Sequence, residues 1–162
     1  MKILKFGGSS VGSHVNVRRI IEIVRSKKEQ GEEVVLVCSA FNKVTDQLIN
    51  AGKLAEKKDN STYIEIFESF KERHRLAIEE LVTDSEIKNV MLEEFVDSMH
   101  RVEDILKGIN MLGELSDKTL ANLVSYGERF SSFIVAGALR SAGLNGIYVN
   151  ATQLIRTDSN YL

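Results

Sequence analysis

Two short apolar runs, separated by one segment of helical periodicity, constrain the fold of this chain more than any other feature. The first run extends from Lys2 to Phe6 and the second from Val34 to Cys38. Continuous apolar runs of this length are typical of strands that are covered on both faces. The segment between them starts with a favourable N-cap residue, Ser13, and stops at Gly31, so a helix connects the two strands. This order predicts a right-handed crossover between parallel neighbours, and the chain therefore begins as an α/β protein.

The rest of the chain predicts more helix than strand. Helical periodicity extends from Val44 to about Leu81, with a break near Asp59, and a second amphipathic run extends from Asp84 to Leu106. A long helical pattern follows from Lys118 to Leu139, and Ile147 to Val149 is predicted to form a third strand. Because parallel sheets are normally built from several strands and covered on both faces, three strands leave the sheet incomplete.

A single helix-rich domain is predicted over residues 1–162, since no repeat, Pro-rich linker or low-complexity tract divides the chain. The sequence ends at Leu162, soon after the third predicted strand, with no helix to return across the sheet. We interpret the chain as the N-terminal part of a longer parent. On this interpretation, truncation explains the incomplete sheet.

The composition excludes several classes of protein. With 21 basic and 23 acidic residues and a formal net charge of −2, the chain has no basic block to follow a nucleic-acid backbone, so no nucleic-acid partner is expected. No stretch approaches the roughly 20 apolar residues that cross a bilayer, so no transmembrane helix is predicted. A charge and two glycines interrupt the first apolar run, so the N-terminus does not have the hydrophobic core of a signal peptide. The single cysteine fits a reducing compartment. We predict a cytoplasmic protein without a membrane partner.

The histidines, the cysteine and the one basic run are interpreted as structural. The histidines, at positions 14, 74 and 100, have no i,i+4 partner and no companion cysteine, so no metal site is predicted and surface or capping roles are expected. The run from Lys71 to Arg75 is flanked by acids on one predicted helix, which favours a solvated, ion-paired face over a nucleic-acid patch. Cys38 is expected to pack within its strand.

The segment from Lys5 to Val11, with the sequence Lys-Phe-Gly-Gly-Ser-Ser-Val, is a candidate phosphate loop between a strand and a helix. Glycines allow close backbone approach, their N–H groups and the following helix N-terminus favour anions, and Lys5 adds a full positive charge. The lysine precedes the glycines, which excludes the nucleotide loop in which a lysine follows them, and the dinucleotide fingerprint is also absent. The alternative is a strand followed by an ordinary turn.

The segment from Ile3 to Val11 resembles the aspartokinase signature, in which a hydrophobic strand delivers a lysine into K-[FY]-G-G-[ST]-[SC]. Aspartokinases belong to the amino-acid kinase superfamily, and their lysine and glycine loop hold the phosphates of ATP during transfer to the side-chain carboxylate of aspartate. The resemblance implies that Lys5 is catalytic. It also implies a phosphate-binding role for four residues: Lys5, Gly7, Gly8 and Ser9.

A second segment, Ser39 to Leu48, resembles the family's S-A…V-T-D-x-L segment, whose serine and threonine contact the substrate amino acid. Ser39 and Thr45 are the corresponding residues here. Ligands in open α/β sheets bind outside the carboxyl ends of the strands, so this segment and the glycine loop are expected to converge. The alternative makes Ser39 a turn residue and Thr45 or Asp46 a helix cap.

A third segment, Ser125 to Ser132, resembles the family's G-E-x-x-S helix, whose glutamate holds the amino group of aspartate; Glu128 is the corresponding residue. A glycine within a helix costs about 1 kcal/mol relative to alanine, so Gly127 indicates close approach by a ligand or a backbone. The alternative is tight helix packing, with Glu128 paired to Arg129 or to solvent. Ser131 also matches, although a mid-helix serine more often faces solvent or a backbone carbonyl.

The resemblance as a whole implies an aspartate kinase of lysine and threonine biosynthesis, which transfers the γ-phosphate of ATP to L-aspartate and produces 4-phospho-L-aspartate. L-aspartate and ATP, with Mg²⁺ bound to the nucleotide, are the expected ligands, and the full-length parent is expected to be a homo-oligomer. The nucleotide-binding half and the regulatory domains lie outside this chain, so the chain alone is expected to be inactive. The alternatives are another amino-acid kinase, or a non-catalytic module that binds an amino acid or phosphate.

The sequence shows no obvious general base, and the implied reaction needs none. The side-chain carboxylate of aspartate has a pKa of about 3.9 and is already ionised at neutral pH. Phosphoryl transfer to this nucleophile depends on in-line positioning and on cations that neutralise the transferred group. Lys5, backbone amides and nucleotide-bound magnesium are sufficient for this purpose.

Overall fold

The computed structural model describes residues 1–158. Within this range, two parallel strands lead into a bundle of long helices. The elements, in chain order, are β1 Lys2–Phe6, α1 Gly8–Val11, α2 His14–Glu29, β2 Val34–Cys38, α3 Val44–Glu56, α4 Asn60–Leu81, α5 Ser85–Leu112 and α6 Asp117–Ser141. A 3₁₀ turn, Ala151–Gln153, follows α6. The predicted helix-rich α/β fold with a small, incomplete parallel sheet is confirmed.

The strands β1 and β2 pair in parallel, as predicted, with Lys2 opposite Val34 at their first residues. Helix α2 connects them, and the hydroxyl of Ser13 accepts a hydrogen bond from the Asn16 N–H at 3.2 Å. This is the predicted N-cap, which satisfies one of the N–H groups that a helix start leaves free. Cys38 is buried within its strand, as expected, and burial raises the pKa of its thiol to about 11.

The described residues cover only one face of the sheet. Phe6 and Leu36 pack against the core, where α2 and α6 contact β2. On the other face, Ile3, Val35 and Val37 keep 66%, 45% and 49% of their surface exposed. The prediction that both strands are covered on both faces is therefore wrong for this part of the chain. An apolar run makes burial favourable, but the covering layer has to come from other elements.

The predicted third strand, Ile147 to Val149, is an irregular segment. Gly146 lies so close to α6 that a Cβ there would approach the Ala136 carbonyl oxygen at 2.5 Å, and the Tyr148 ring centroid lies 5.7 Å from that of Phe133. These contacts hold the segment on α6, and a groove of about 320 Å³ lies between it and β2. A strand requires a hydrogen-bonded neighbour, so the sheet has two strands among residues 1–158.

Helices α3 to α6 pack on one another and form the bundle beside the sheet. Helix α3 starts at Val44 and α4 ends at Leu81, both as predicted. Helix α5 extends past its predicted end at Leu106, because Ile109 provides a further buried position and Gly113 then ends the helix in the left-handed conformation. Among residues 1–158, every helix is too short or too polar to cross a membrane.

His74 is completely buried, and its predicted surface or capping role is therefore wrong. Its Nδ1 donates to the Phe70 carbonyl oxygen at 2.7 Å, and its ring stacks on Phe41 with centroids 5.1 Å apart. Desolvation lowers the pKa of His74 to about 4, so the ring is neutral at physiological pH. His14, which contacts Glu80 at 2.9 Å, is exposed as predicted, and so is the histidine at position 100.

The buried His74 is expected to make the protein less stable below neutral pH. The unfolded chain gains a proton near pH 6.5, whereas the folded chain gains it only near pH 4, so the free energy of unfolding falls as the pH decreases through this window. At pH 5 the loss is about 2 kcal/mol relative to pH 7. Urea unfolding at both pH values should show it. The variant His74→Phe should lose most of this pH dependence, whereas His14→Ala should retain it; an equal dependence in both variants would contradict the assignment.

Candidate functional site

The glycine loop and the second segment leave the sheet side by side. The Ser39 N–H donates to the Phe6 carbonyl oxygen at 3.0 Å, which continues the parallel ladder one residue beyond β2. Gly7 and Ser39 therefore lie at the same edge of the sheet, where the carboxyl ends of β1 and β2 meet. Ligands of open α/β sheets bind at this edge.

The glycine loop turns directly into α1, a single helical turn that the sequence does not predict. Gly8 and Ser9 are the first residues of this turn, so their N–H groups have no acceptor within it. The Lys5 Nζ lies 3.6 Å from the position that a Cβ on Gly7 would take. Lys5 and Ser9 are both exposed. The Lys5 ammonium and the free N–H groups of Gly8 and Ser9 form a donor set that fits a phosphate, and Gly7 leaves space for it because it has no side chain.

The backbones of the first two segments touch. A Cβ on Gly8 would lie 3.0 Å from the Ala40 carbonyl oxygen, and a Cβ on Gly12 would lie 3.2 Å from the Asn42 Cβ. Both distances are shorter than ordinary contacts, so the absence of side chains at these glycines allows the close approach. The predicted convergence of the two segments is confirmed.

Ser39 and Thr45, the candidate substrate residues of the second segment, are both half-buried. Thr45 lies in the first turn of α3, whose N-cap residue is Lys43, so the alternative in which Thr45 or Asp46 caps this helix is wrong. Lys43 has a φ of 66°, a left-handed conformation that costs a residue other than glycine about 1–2 kcal/mol. Strain of this kind is concentrated at functional sites.

The third segment lies in the middle of α6 and packs against the second. A Cβ on Gly127 would lie 2.9 Å from the Ala40 Cβ and 3.1 Å from the Val44 Cγ1, so the approach depends on glycine. One turn later, the buried hydroxyl of Ser131 donates to the Ser39 carbonyl oxygen at 2.7 Å. All the atoms that this Cβ would meet belong to side chains, so at Gly127 the structure shows the tight packing of the alternative interpretation rather than approach by a backbone, and the packing partner is the second segment.

Glu128, the candidate ligand of the substrate amino group, is exposed on α6, one turn before Ser131. The neighbouring Arg129 places its guanidinium carbon 4.0 Å from the ring centroid of Tyr126. None of the ion pairs among residues 1–158 joins Glu128 to Arg129. Of the two partners that the packing alternative allows for Glu128, Arg129 and solvent, the structure therefore shows solvent.

The sequence places Arg73 on a solvated face of α4, and this prediction is wrong. Its Nη1 donates to the Asn42 carbonyl oxygen at 2.8 Å, and its Nη2 donates to the Gly12 carbonyl oxygen at 3.5 Å. Partial burial lowers the pKa of its guanidinium. Lys71 and Arg75, in contrast, form the predicted ion pairs with acids on the same helix.

Two other polar contacts at the site also escape prediction from the sequence. The Asn16 amide, on α2, donates from Nδ2 to the Ser9 carbonyl oxygen at 2.7 Å. The Ser131 hydroxyl bonds a backbone carbonyl, as a mid-helix serine often does, but the acceptor Ser39 lies 92 residues away. No local sequence pattern identifies such distant partners, although Ser131 does match the family motif.

The arrangement as a whole suits anionic and amino-acid ligands. The three segments, which contact one another in sequence order, carry one exposed lysine, the free N–H groups of α1, two half-buried hydroxyl residues and one exposed carboxylate. Within residues 1–158, no three or more His, Cys, Asp or Glu side chains are grouped so as to hold a metal ion.

Comparison with known proteins places these observations in a family. The model of the amino acid kinase family matches residues 1–161. The chloroplastic aspartokinase 1 of Arabidopsis thaliana is 34% identical over 160 residues, which cover 96% of this chain and 26% of that protein. The aspartokinase of Candida albicans is 26% identical, over 94% of this chain and 28% of that protein. The chain thus spans about a quarter of the length of these curated relatives.

A solved structure has the same fold. It is that of E. coli aspartokinase III in complex with aspartate and ADP, which matches with a TM-score of 0.73 and 24% sequence identity. The match covers 87% of this chain and 29% of that chain. The small parallel sheet and the helical bundle beside it are therefore a known arrangement.

Substitution of Gly127 by alanine is expected to destabilise the protein, because the new Cβ would meet the Ala40 Cβ at 2.9 Å. We expect a loss of about 1–3 kcal/mol in the free energy of unfolding from overpacking. Gly108→Ala in α5 is a matched control, since a Cβ there meets no atom within 4 Å, and it should stabilise the protein by up to about 1 kcal/mol. Urea unfolding monitored by circular dichroism measures both. Equal stability of the two variants would contradict the packing described here.

Proposed function

Because the chain belongs to the amino acid kinase family, we propose that it is the N-terminal, amino-acid-binding part of an aspartate kinase. The reaction is transfer of the γ-phosphoryl group of ATP to the side-chain carboxylate of L-aspartate, with 4-phospho-L-aspartate and ADP as products. The observation that supports this proposal is the contact among the three segments. Gly8 of α1 and Gly127 of α6 both approach the same residue, Ala40, just beyond the carboxyl end of β2.

The glycine loop holds the phosphates of ATP. Lys5 supplies the positive charge, and the N–H groups of Gly8 and Ser9 point out of the first turn of α1 without competing acceptors. Gly7 leaves space beside the Lys5 Nζ, where a side chain would otherwise stand. This donor set favours the charge of the transferring group, which is how phosphoryl-transfer enzymes act.

The second and third segments hold aspartate. Ser39 and Thr45 offer hydroxyl groups near the carboxyl end of β2, and the Glu128 carboxylate takes the amino group of the substrate through a charge-assisted hydrogen bond. Ser131 of α6 holds the backbone of Ser39 in place by donating a hydrogen bond to the Ser39 carbonyl oxygen at 2.7 Å. Aspartate is thereby held next to the glycine loop, because Gly8 of that loop approaches the Ala40 carbonyl oxygen of the second segment.

The chemistry requires position and charge neutralisation more than proton transfer. A substrate carboxylate oxygen forms a bond to the γ-phosphorus while the bond from that phosphorus to the oxygen bridging it to the β-phosphate breaks, and the electron pair leaves with ADP. The nucleophile is already ionised at neutral pH. Lys5 neutralises part of the charge that spreads over the transferred group. Nucleotide-bound Mg²⁺ supplies further neutralisation when it is present.

The remaining parts of the enzyme are proposed to lie outside this chain, which spans about a quarter of the length of its relatives. On this proposal residues 1–162 form the amino-acid-binding part, and a nucleotide-binding half completes the site. The exposed sheet face, with Ile3, Val35 and Val37, agrees with an incomplete sheet. The whole protein is proposed to be a cytoplasmic homo-oligomer.

Replacement of Lys5 by alanine in the whole protein should lower kcat by about 100-fold or more, because the transferred group loses a full positive charge. Trapping of the acyl phosphate with hydroxylamine, together with a coupled assay of ADP release, measures the effect. Lys2→Ala is the matched control: Lys2 lies on the same strand but pairs with Glu32 at 2.6 Å, and its loss should leave kcat unchanged. Near-normal turnover by the Lys5→Ala protein would refute the catalytic role.

The isolated chain of residues 1–162 should form no detectable aspartyl hydroxamate with ATP and L-aspartate, because it lacks the proposed nucleotide-binding half. The whole protein is the positive control for the same assay. Robust turnover by the isolated chain would overturn this division of the site. In the whole protein, binding of aspartate and ATP without ADP release would favour a non-catalytic module, and turnover with glutamate but not aspartate would favour another amino-acid kinase.

A further inference from the structure

Arg73 connects the two loops of the candidate site from a helix that belongs to neither. It lies on α4, 31 residues from Asn42 and 61 residues from Gly12. Its Nη1 donates to the Asn42 carbonyl oxygen at 2.8 Å, and its Nη2 lies 3.5 Å from the Gly12 carbonyl oxygen. One planar guanidinium therefore spans an acceptor in the second segment and an acceptor at Gly12, the residue directly after α1, the helical turn into which the glycine loop leads.

A second set of contacts fixes the same place. The guanidinium carbon of Arg73 lies 5.8 Å from the ring centroid of Phe41, and the ring of His74 stacks on the same ring with an interplanar angle of 5°. Phe41 is 4% exposed, so its ring is anchored in the core. Successive residues of α4 thus hold the second segment by its side chain and by its backbone.

The choice of partners distinguishes Arg73 from its neighbours on α4. Lys71 and Arg75 pair with carboxylates and belong to the solvated face. Among the ion pairs of residues 1–158, none includes Arg73, whose charge is satisfied by two backbone carbonyl oxygens although burial disfavours that charge. Only arginine presents several donors in a fixed planar fork, so a lysine there cannot reach both acceptors in the same way.

We propose that Arg73 is a positioning residue that sets the glycine loop and the second segment in register with each other. This inference rests on the proposed function, in which the first loop holds the phosphates and the second holds aspartate. Each loop keeps its own ligand contacts without Arg73, but the distance between the two ligands depends on it. Transfer requires reacting atoms about 3–3.5 Å apart, and a misplacement of about 1 Å can reduce the rate about 100-fold.

The two hydrogen bonds that Arg73 donates to Asn42 and Gly12 are called the Arg73 clamp below. The clamp can be tested without reference to catalysis, by hydrogen–deuterium exchange of the whole protein. The Val44 N–H donates to the Phe41 carbonyl oxygen at 2.9 Å and reports on the second segment. In Arg73→Ala and Arg73→Lys, peptides that cover residues 39–48 should exchange about tenfold faster, with peptides from α5 unchanged. Arg75→Ala is the matched control and should change neither. Unchanged exchange at residues 39–48, or equal acceleration throughout the protein, would overturn the clamp.

The positioning role predicts a specific kinetic pattern. In Arg73→Ala, kcat should fall at least about tenfold, while KM for aspartate and KM for ATP each stay within about twofold, because both ligands still bind but are misaligned. Arg73→Lys should recover less than half of the lost rate. A rise in KM with unchanged kcat, or full activity, would overturn the role. Absence of aspartate kinase activity in the wild-type protein would refute the proposed function instead, and the exchange experiment would still decide the clamp.

Discussion

The close packing of the segment from Ser39 to Val44 is the constraint on which the candidate site depends. Gly8 approaches the Ala40 carbonyl oxygen of this segment, and Gly127 of α6 approaches its Ala40 and Val44 side chains, each so closely that an added Cβ would force a movement. The Ser131 hydroxyl and the Arg73 guanidinium donate to carbonyl oxygens of the same segment. Because protein interiors are close-packed, a shift of any one of these contacts displaces the others. The geometry of the site therefore depends on α1, α4 and α6 together with this segment.

The sheet and the helical bundle position the two loops of the candidate site in different ways. Parallel pairing of β1 and β2 brings the two loops to one edge, and the bundle holds them there through α4 and α6. The polar groups proposed to meet the ligands, Lys5, Ser9 and Glu128, remain exposed. Such a division keeps charges solvated until a charged ligand arrives, which avoids the cost of burying them unpaired.

Much of the fold follows from local patterns in the sequence. The apolar runs locate β1 and β2, the helical periodicity locates α3 to α6, and Ser13 marks the start of α2. The failures are equally physical. The run Ile147 to Val149 has the composition of a strand, but Gly146 and Tyr148 hold it on α6, and no neighbouring strand pairs with it among residues 1–158. His74 is polar and would be expected at the surface, but it lies four residues after Phe70 and so falls on the buried face of α4.

The sequence by itself determined β1, β2 and the long helices α2 to α6, because hydrophobic period and helix capping act over a few residues. The three segments of the candidate site stand out by their resemblance to aspartokinase motifs, not by these local patterns. Tertiary structure alone decided that Arg73 spans two loops, that Ser131 bonds Ser39, and that one face of the sheet stays exposed. Each of these depends on a partner far away in the chain, and a residue type does not specify which distant carbonyl or which covering layer folding will bring to it.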